Sequence, residues 1–149
     1  MPPHHLQFEI TESVAMSDAA ATHSKLRQLK ELGVQLAIDD FGTGYSSLSY
    51  LKRFPVDTLK VDKSFVDGLG SDPEDTAIVA AVVSLGKALG LNVIAEGIES
   101  QEVVDRLQEI SCEYGQGYHF AEPLPSDAFE DLWANDLLIT SDWRTRRAS

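Results

Sequence analysis

Five carboxylates fall where a chain does not place them for packing. Glu9, Asp39, Asp40, Asp62 and Glu96 each stand at or beside the carboxyl end of a short apolar run, and Asp39 and Asp40 are adjacent. Like charges gathered at one rim repel, so they require cations. An oxygen-rich set with almost no Cys or His suits a hard divalent ion of the Mg²⁺ or Mn²⁺ type. Lys60 lies two residues before Asp62 in "LKVDK", so on a strand both side chains point the same way and an ammonium stands beside the acids. In "IAEGIES", Gly97 lets the chain turn directly after Glu96 and brings Glu99 within reach of the same rim. Gln116, between Gly115 and Gly117, offers an amide to a substrate edge. Taken singly, a strand-end Asp is as readily a helix cap, and a single Lys a rim ion pair. Their coincidence at the same end of successive strands points to a site.

The elements that must position these residues alternate. Strands are expected at Leu6–Ile10, Val34–Asp40, Thr58–Asp62, Asn92–Ala95 and Tyr118–Phe120. Helical periodicity covers Val14–Leu32, Leu48–Arg53, Thr76–Leu89, Gln101–Ile110 and Ser126–Asn135. The acidic entry "SDPEDT" suits a helix N-terminus, and Gly33 and Gly90 read as stops. Strand and helix in this alternation mean parallel strands with crossover helices. Pattern alone does not separate an open α/β sheet from a (β/α) barrel; acids at the carboxyl ends of the strands favour the barrel, whose sites are built on that rim.

The chain has 149 residues, 43% of them hydrophobic, enough for one domain with a core. Its net charge of −12, from 24 acidic against 12 basic residues, argues against binding to DNA, RNA or an anionic membrane. An anionic ligand then needs positive charge from bound metal. The single cysteine, Cys112, reads as a small buried hydrophobe, and no apolar run is long enough for a membrane span; a cytoplasmic location is the expectation. His4, His5 and His23 read as surface residues.

With these residues in place, the chain resembles the EAL family of cyclic di-GMP phosphodiesterases. The matching segments are "FEITES" at Phe8–Ser13, "IDDFGTGYSSL" at Ile38–Leu48, "LKVDKSFV" at Leu59–Val66, "IAEGIES" at Ile94–Ser100, and "YGQGY" with "PLP" between Tyr114 and Pro125. The resemblance implies a metal-dependent hydrolase that opens cyclic di-GMP to linear pGpG on a TIM-type barrel. By position it makes Glu9, Asp39, Asp40 and Asp62 metal-site acids, with Asp39 bridging two ions. Lys60 becomes the residue that holds the attacking water, and Glu96 the general base or water organiser. Glu99 and Gln116 become supports of site and substrate. The segment Phe41, Gly42, Thr43, Gly44, Tyr45, Ser46 and Ser47 is similar to the family's regulatory loop, braced by Glu12 and associated with a homodimer contact.

A full barrel of eight repeats runs to about 250 residues. Five strands are legible here, and the family's naming Glu-Ala-Leu motif, which supplies a metal ligand, does not occur in the chain. The expectation is therefore an incomplete (β/α) barrel: a partial EAL domain over residues 1–136 with a loosely ordered tail over 137–149. Its first metal site would be incomplete and its activity weak, unless a partner supplies the missing strands. The alternative is a noncatalytic binding or regulatory module of cyclic di-GMP signalling, or a remnant of the enzyme. A barrel lyase with Lys60 as base leaves the "DDFGTGYSSL" loop unexplained.

Overall fold

Five parallel strands hydrogen-bond in chain order, β1-β2-β3-β4-β5, in a computed structural model that describes residues 1–44 and 48–134. They are β1 (Gln7–Thr11), β2 (Gln35–Phe41), β3 (Thr58–Val61), β4 (Asn92–Ala95) and β5 (Tyr114–Gly115). Between them run α1 (Glu12–Ser17), α2 (Ala19–Glu31), α3 (Leu48–Leu51), α4 (Lys63–Val66), α5 (Pro73–Leu89) and α6 (Gln101–Glu109); α7 (Ser126–Ala134) follows. The order never reverses, so no crossover changes side. A doubly wound sheet requires such a reversal, whereas a barrel segment does not. The fold is α/β, part of a TIM-type barrel.

The centre of the sheet is β3, where all four residues are buried. Leu59 and Val61 join the core with Leu36 and Ile38 of β2, Val79 and Val83 of α5, and Val104 and Leu107 of α6. Alternation along the strand sends Lys60 to the opposite face. The outer strands are less covered, with Phe8 on β1 49% exposed and Tyr114 on β5 44% exposed. Capping follows the sequence signals. Asp72 accepts from the amides of Glu74 and Asp75 at the start of α5, Pro73 opens its first turn, and Gly90 closes it. Among the described residues, no helix is long and apolar enough to cross a membrane.

Three expected elements are corrected. The single helix over Val14–Leu32 is two, broken at Asp18, whose backbone leaves the helical region and whose carboxylate accepts from Ala21 N at 3.1 Å to cap α2. The fifth strand is Tyr114–Gly115, not Tyr118–Phe120. Past Gly115 the chain is drawn away from the ladder: Gln116 O accepts from Ile98 N, His119 N donates to Ile98 O, and Phe120 N closes a turn on Gly117 O. Asp62 lies one residue beyond β3, where it caps α4 instead of continuing the alternation from Lys60. The tail over 137–149 and Tyr45, Ser46 and Ser47 lie outside the described residues.

Leu59 has no exposed surface, whereas Leu32 is 65% exposed. Leu59→Ala is expected to cost about 2–5 kcal/mol in urea unfolding, and Leu32→Ala to stay within about 0.5 kcal/mol. Burial pushes the Cys112 thiol up from its ordinary range, more than its contact with the Tyr114 carbonyl pulls it down. Iodoacetamide at pH 8 should therefore label the urea-unfolded chain and spare the native one, as mass spectrometry would read.

Candidate functional site

Lys60 gathers the rim. It stands in the middle strand with a side chain only 7% exposed, and its Nζ lies 2.8 Å from Glu9 Oε2, 3.0 Å from Asp39 Oδ1 and 2.8 Å from Glu96 Oε1. These three acids come from β1, β2 and the end of β4, so one ammonium ties three chain segments together. Burial alone would lower the lysine's pKa, but hydrogen bonds to Glu9, Glu96 and Asp39 outweigh it and the net shift is upward. Lys60 is charged at any physiological pH.

Asp39 and Asp40 enter the site together because β2 is bulged. Ile38 pairs with Leu59 and Phe41 with Val61, so two residues of β2 face the single Lys60 of β3. Asp40 takes up the extra residue in the left-handed region, at φ 53°. An unbroken strand would send the two carboxylates to opposite faces. Here one oxygen each from Asp39, Asp40 and Glu96 lie within 4.8 Å of one another. Asp39 Oδ1 is buried and, beyond its contact with Lys60, accepts no hydrogen bond.

The electrostatics separate the acids. Burial raises the Glu96 carboxyl, with Asp39 and Glu9 adding to the rise and Lys60 opposing it. Burial also raises Asp40, and the neighbouring Asp39 and Asp62 push the same way. The Ser64 hydroxyl and amide hold Asp62 below its ordinary value. Gln116 Nε2 donates to Glu96 Oε1 at 2.6 Å, so the amide expected to face a substrate also fixes the carboxylate across from it. Glu99 is not among the acids around Lys60; it pairs with Lys63 at the rim.

Behind the metal-type cluster, Glu12 is buried and accepts from Gly42 N at 2.8 Å and Gly44 N at 3.3 Å, bracing the loop that follows Asp40. A Cβ at Gly44 would come within 2.9 Å of Glu12 Oε1, so glycine is what lets the carboxylate close on that backbone. Beside Glu96 a cleft of about 580 Å³ opens between Gln116, Tyr118, Glu122, Leu124 and Phe129. Of this wall the sequence pattern marked Gln116 as facing a substrate, whereas the aromatic Tyr118 and Phe129 lie outside the strand-end pattern.

An oxygen-only cluster whose buried Asp39 oxygen is met only by the Lys60 ammonium fits a hard divalent cation. Lys60 pairs with Glu9, Asp39 and Glu96 while Asp40 and Asp62 stand beside them, which leaves an excess of negative charge for such an ion to neutralise.

The EAL domain family model matches residues 1–123. The chain belongs to the EAL-domain family. It is 46% identical over 127 residues to the bifunctional diguanylate cyclase/cyclic di-GMP phosphodiesterase MucR of Pseudomonas aeruginosa, covering 85% of this chain and 18% of that protein. Among solved structures, a complex of the MucR phosphodiesterase with c-di-GMP aligns with a TM-score of 0.84 at 46% identity, over 87% of this chain and 52% of that one. A manganese and c-di-GMP complex of Klebsiella pneumoniae BlrP1 aligns with a TM-score of 0.77 at 38% identity, over 83% of this chain and 31% of that one. The chain thus spans about half of the solved MucR domain and a smaller part of the curated relative. These likenesses agree with the α/β barrel architecture and with the EAL resemblance read from the five sequence segments.

Removing Lys60 would leave Glu9, Asp39 and Glu96 gathered without their cation. Lys60→Met is expected to destabilise the chain by about 3–5 kcal/mol in urea unfolding with chelator present, the loss typical of breaking one side of a buried pair. Glu12→Ala should deprive the Gly42 and Gly44 amides of a charged acceptor. Their hydrogen exchange is expected to quicken by about 10- to 100-fold, corresponding to about 1.5–3 kcal/mol.

Proposed function

We propose that the chain carries the catalytic rim of a metal-dependent phosphodiesterase that hydrolyses cyclic di-GMP to linear pGpG. The observation that carries the reading is the convergence of Asp39, Asp40 and Glu96 within 4.8 Å, with the Asp39 oxygen buried beside Lys60. Asp39 and Asp40 would hold a Mg²⁺ or Mn²⁺ ion, with Glu9 and Asp62 at the edges of the same site and Glu96 beside them to face the ion's water. Such an ion lowers the pKa of a water and offsets the negative charge of a phosphodiester.

The chain's own residues supply the rest. Lys60 keeps Asp39 and Glu96 in fixed places and adds positive charge where the water is held. Glu96, beside Lys60 and the two aspartates, would take the water's proton. Gln116 holds the Glu96 carboxylate in one orientation through its Nε2. Water oxygen bonds to phosphorus, the bond from phosphorus to the 3′ oxygen breaks, and that oxygen leaves with a proton, giving a 5′ phosphate. Glu12 braces the start of the loop after Asp40, which by the family resemblance would carry a homodimer contact.

A second reading has its own support. The described residues carry five strands, and the match covers about half of the solved MucR phosphodiesterase chain. We infer that the isolated chain turns over weakly and acts chiefly as a nucleotide-binding module, unless further strands reach it from a partner.

Two measurements test these readings. Mn²⁺ titration followed by electron paramagnetic resonance should show binding that Asp39→Asn weakens by at least about 10- to 100-fold, the loss that follows removal of even an outer partner of a metal ligand. Equal Mn²⁺ binding by both chains would overturn the site. Chromatography of cyclic di-GMP incubated with chain and Mn²⁺ should show pGpG forming far more slowly than with the MucR domain; matching rates would sink the weak-activity reading.

A further inference from the structure

Glu96 is gripped from one short segment of chain. Lys60 binds its carboxylate, and the Glu96 amide donates to Val61 O at 3.2 Å. Three residues after Lys60, Lys63 opens α4, held there by Asp62 as the cap. Its alkyl stem lies across the backbone of Gly97, the residue directly after Glu96. A Cβ on Gly97 would fall 2.3 Å from Lys63 Cγ and 2.6 Å from Cδ, and Gly97 has a left-handed φ of 71°. Any side chain there would be strained and would displace the stem. Beyond the stem, the ammonium pairs with Glu99, on the far side of the same turn. The segment Gly97–Glu99 is thus pinned between stem and ion pair, and Gly97 and Glu99 line the cleft together with Lys63 and Glu96.

We propose that Lys63 is a positioning residue: its stem, clamped over Gly97 by the ion pair with Glu99, fixes the turn that aims Glu96 at Lys60 and Gln116. The role concerns the placement of Glu96 and rests on the proposed function only in giving Glu96 a task. The two parts of the clamp differ in strength. Lys63 and Glu99 have side chains 49% and 55% exposed, so their charge pairing alone holds the turn by a factor of about two to five. Packing of the stem against the glycine backbone supplies the larger share.

The proposal is tested on the ¹⁵N-labelled chain, without nucleotide or metal, by the exchange rate of the Glu96 amide and by the side-chain amide resonance of Gln116. Lys63→Ala, which loses stem and charge, should speed Glu96 exchange by about tenfold and move the Gln116 resonance. Lys63→Met and Glu99→Gln, which lose only the charge pair, should speed it by about two- to fivefold. Lys63→Arg, which keeps both parts, should match the parent chain. Unchanged Glu96 exchange in Lys63→Met and Glu99→Gln, or an arginine variant as fast as the methionine one, would overturn it. The two charge-only variants keep the test decisive if Lys63→Ala does not fold. Because no substrate enters the readout, failure of the clamp and failure of the phosphodiesterase reading are told apart.

Discussion

One buried ammonium among three carboxylates sets the terms for the rest of this structure. Taking Lys60 out of water costs several kcal/mol, and the partly buried Asp39 and Glu96 add to that cost. The arrangement persists because the charges satisfy one another at 2.8–3.0 Å and because β3, buried along its whole length, leaves the lysine no route back to solvent. The acids cannot spread apart without abandoning the lysine, and the lysine cannot leave without exposing β3. Strand order follows the same constraint. The acids arrive from β1, β2 and the end of β4, and only a sheet in which β3 lies between β2 and β4 brings all of them to one Nζ.

Around that centre, backbone irregularities do what side-chain choice cannot. A regular strand offers one residue in two to a given face. The bulge in β2 breaks that rule at a single point and delivers two neighbouring carboxylates to the same side. The short α4 does something similar after β3, converting the strand direction into a turn that returns Lys63 over Gly97. Regular elements therefore carry the core, while the departures from regularity carry the site. Glu12 belongs to the second group. Its carboxylate serves backbone amides of the loop after Asp40, so the loop's path is tied to α1 as well as to β2.

Much of this was legible in the sequence for definite reasons. Apolar runs separated by helical segments expose a parallel sheet, and acids at the run ends expose the rim, because both follow from periodicity and chain direction. What alternation conceals is any place where it fails. The rim pattern gathered Asp39 and Asp40 at one site, yet strict alternation would part them, and the register between β2 and β3 shows the bulge that brings them side by side. Tyr118–Phe120 has the aromatic character of a strand, yet hydrogen bonds to the Ile98 backbone curl it into a turn and leave the pairing to Tyr114–Gly115. Asp18 sits inside a helical pattern and breaks it through its own side chain. The partner of Glu99 was equally hidden. The glycine after Glu96 announced a tight turn, but nothing in the spacing said that a lysine from a different βα connection would lie across it.

The left-handed backbone of Asp40 governs how this site can be dissected. At φ 53° most side chains strain the chain, while asparagine, like aspartate, tolerates that region. Replacing Asp40 by asparagine therefore removes a charge and leaves the bulge relaxed. Alanine at the same position would remove the charge and disturb the fold together, so any deficit it produced would have two causes. Asp39 next door carries no such restriction, and the two halves of one dipeptide thus call for different chemical probes.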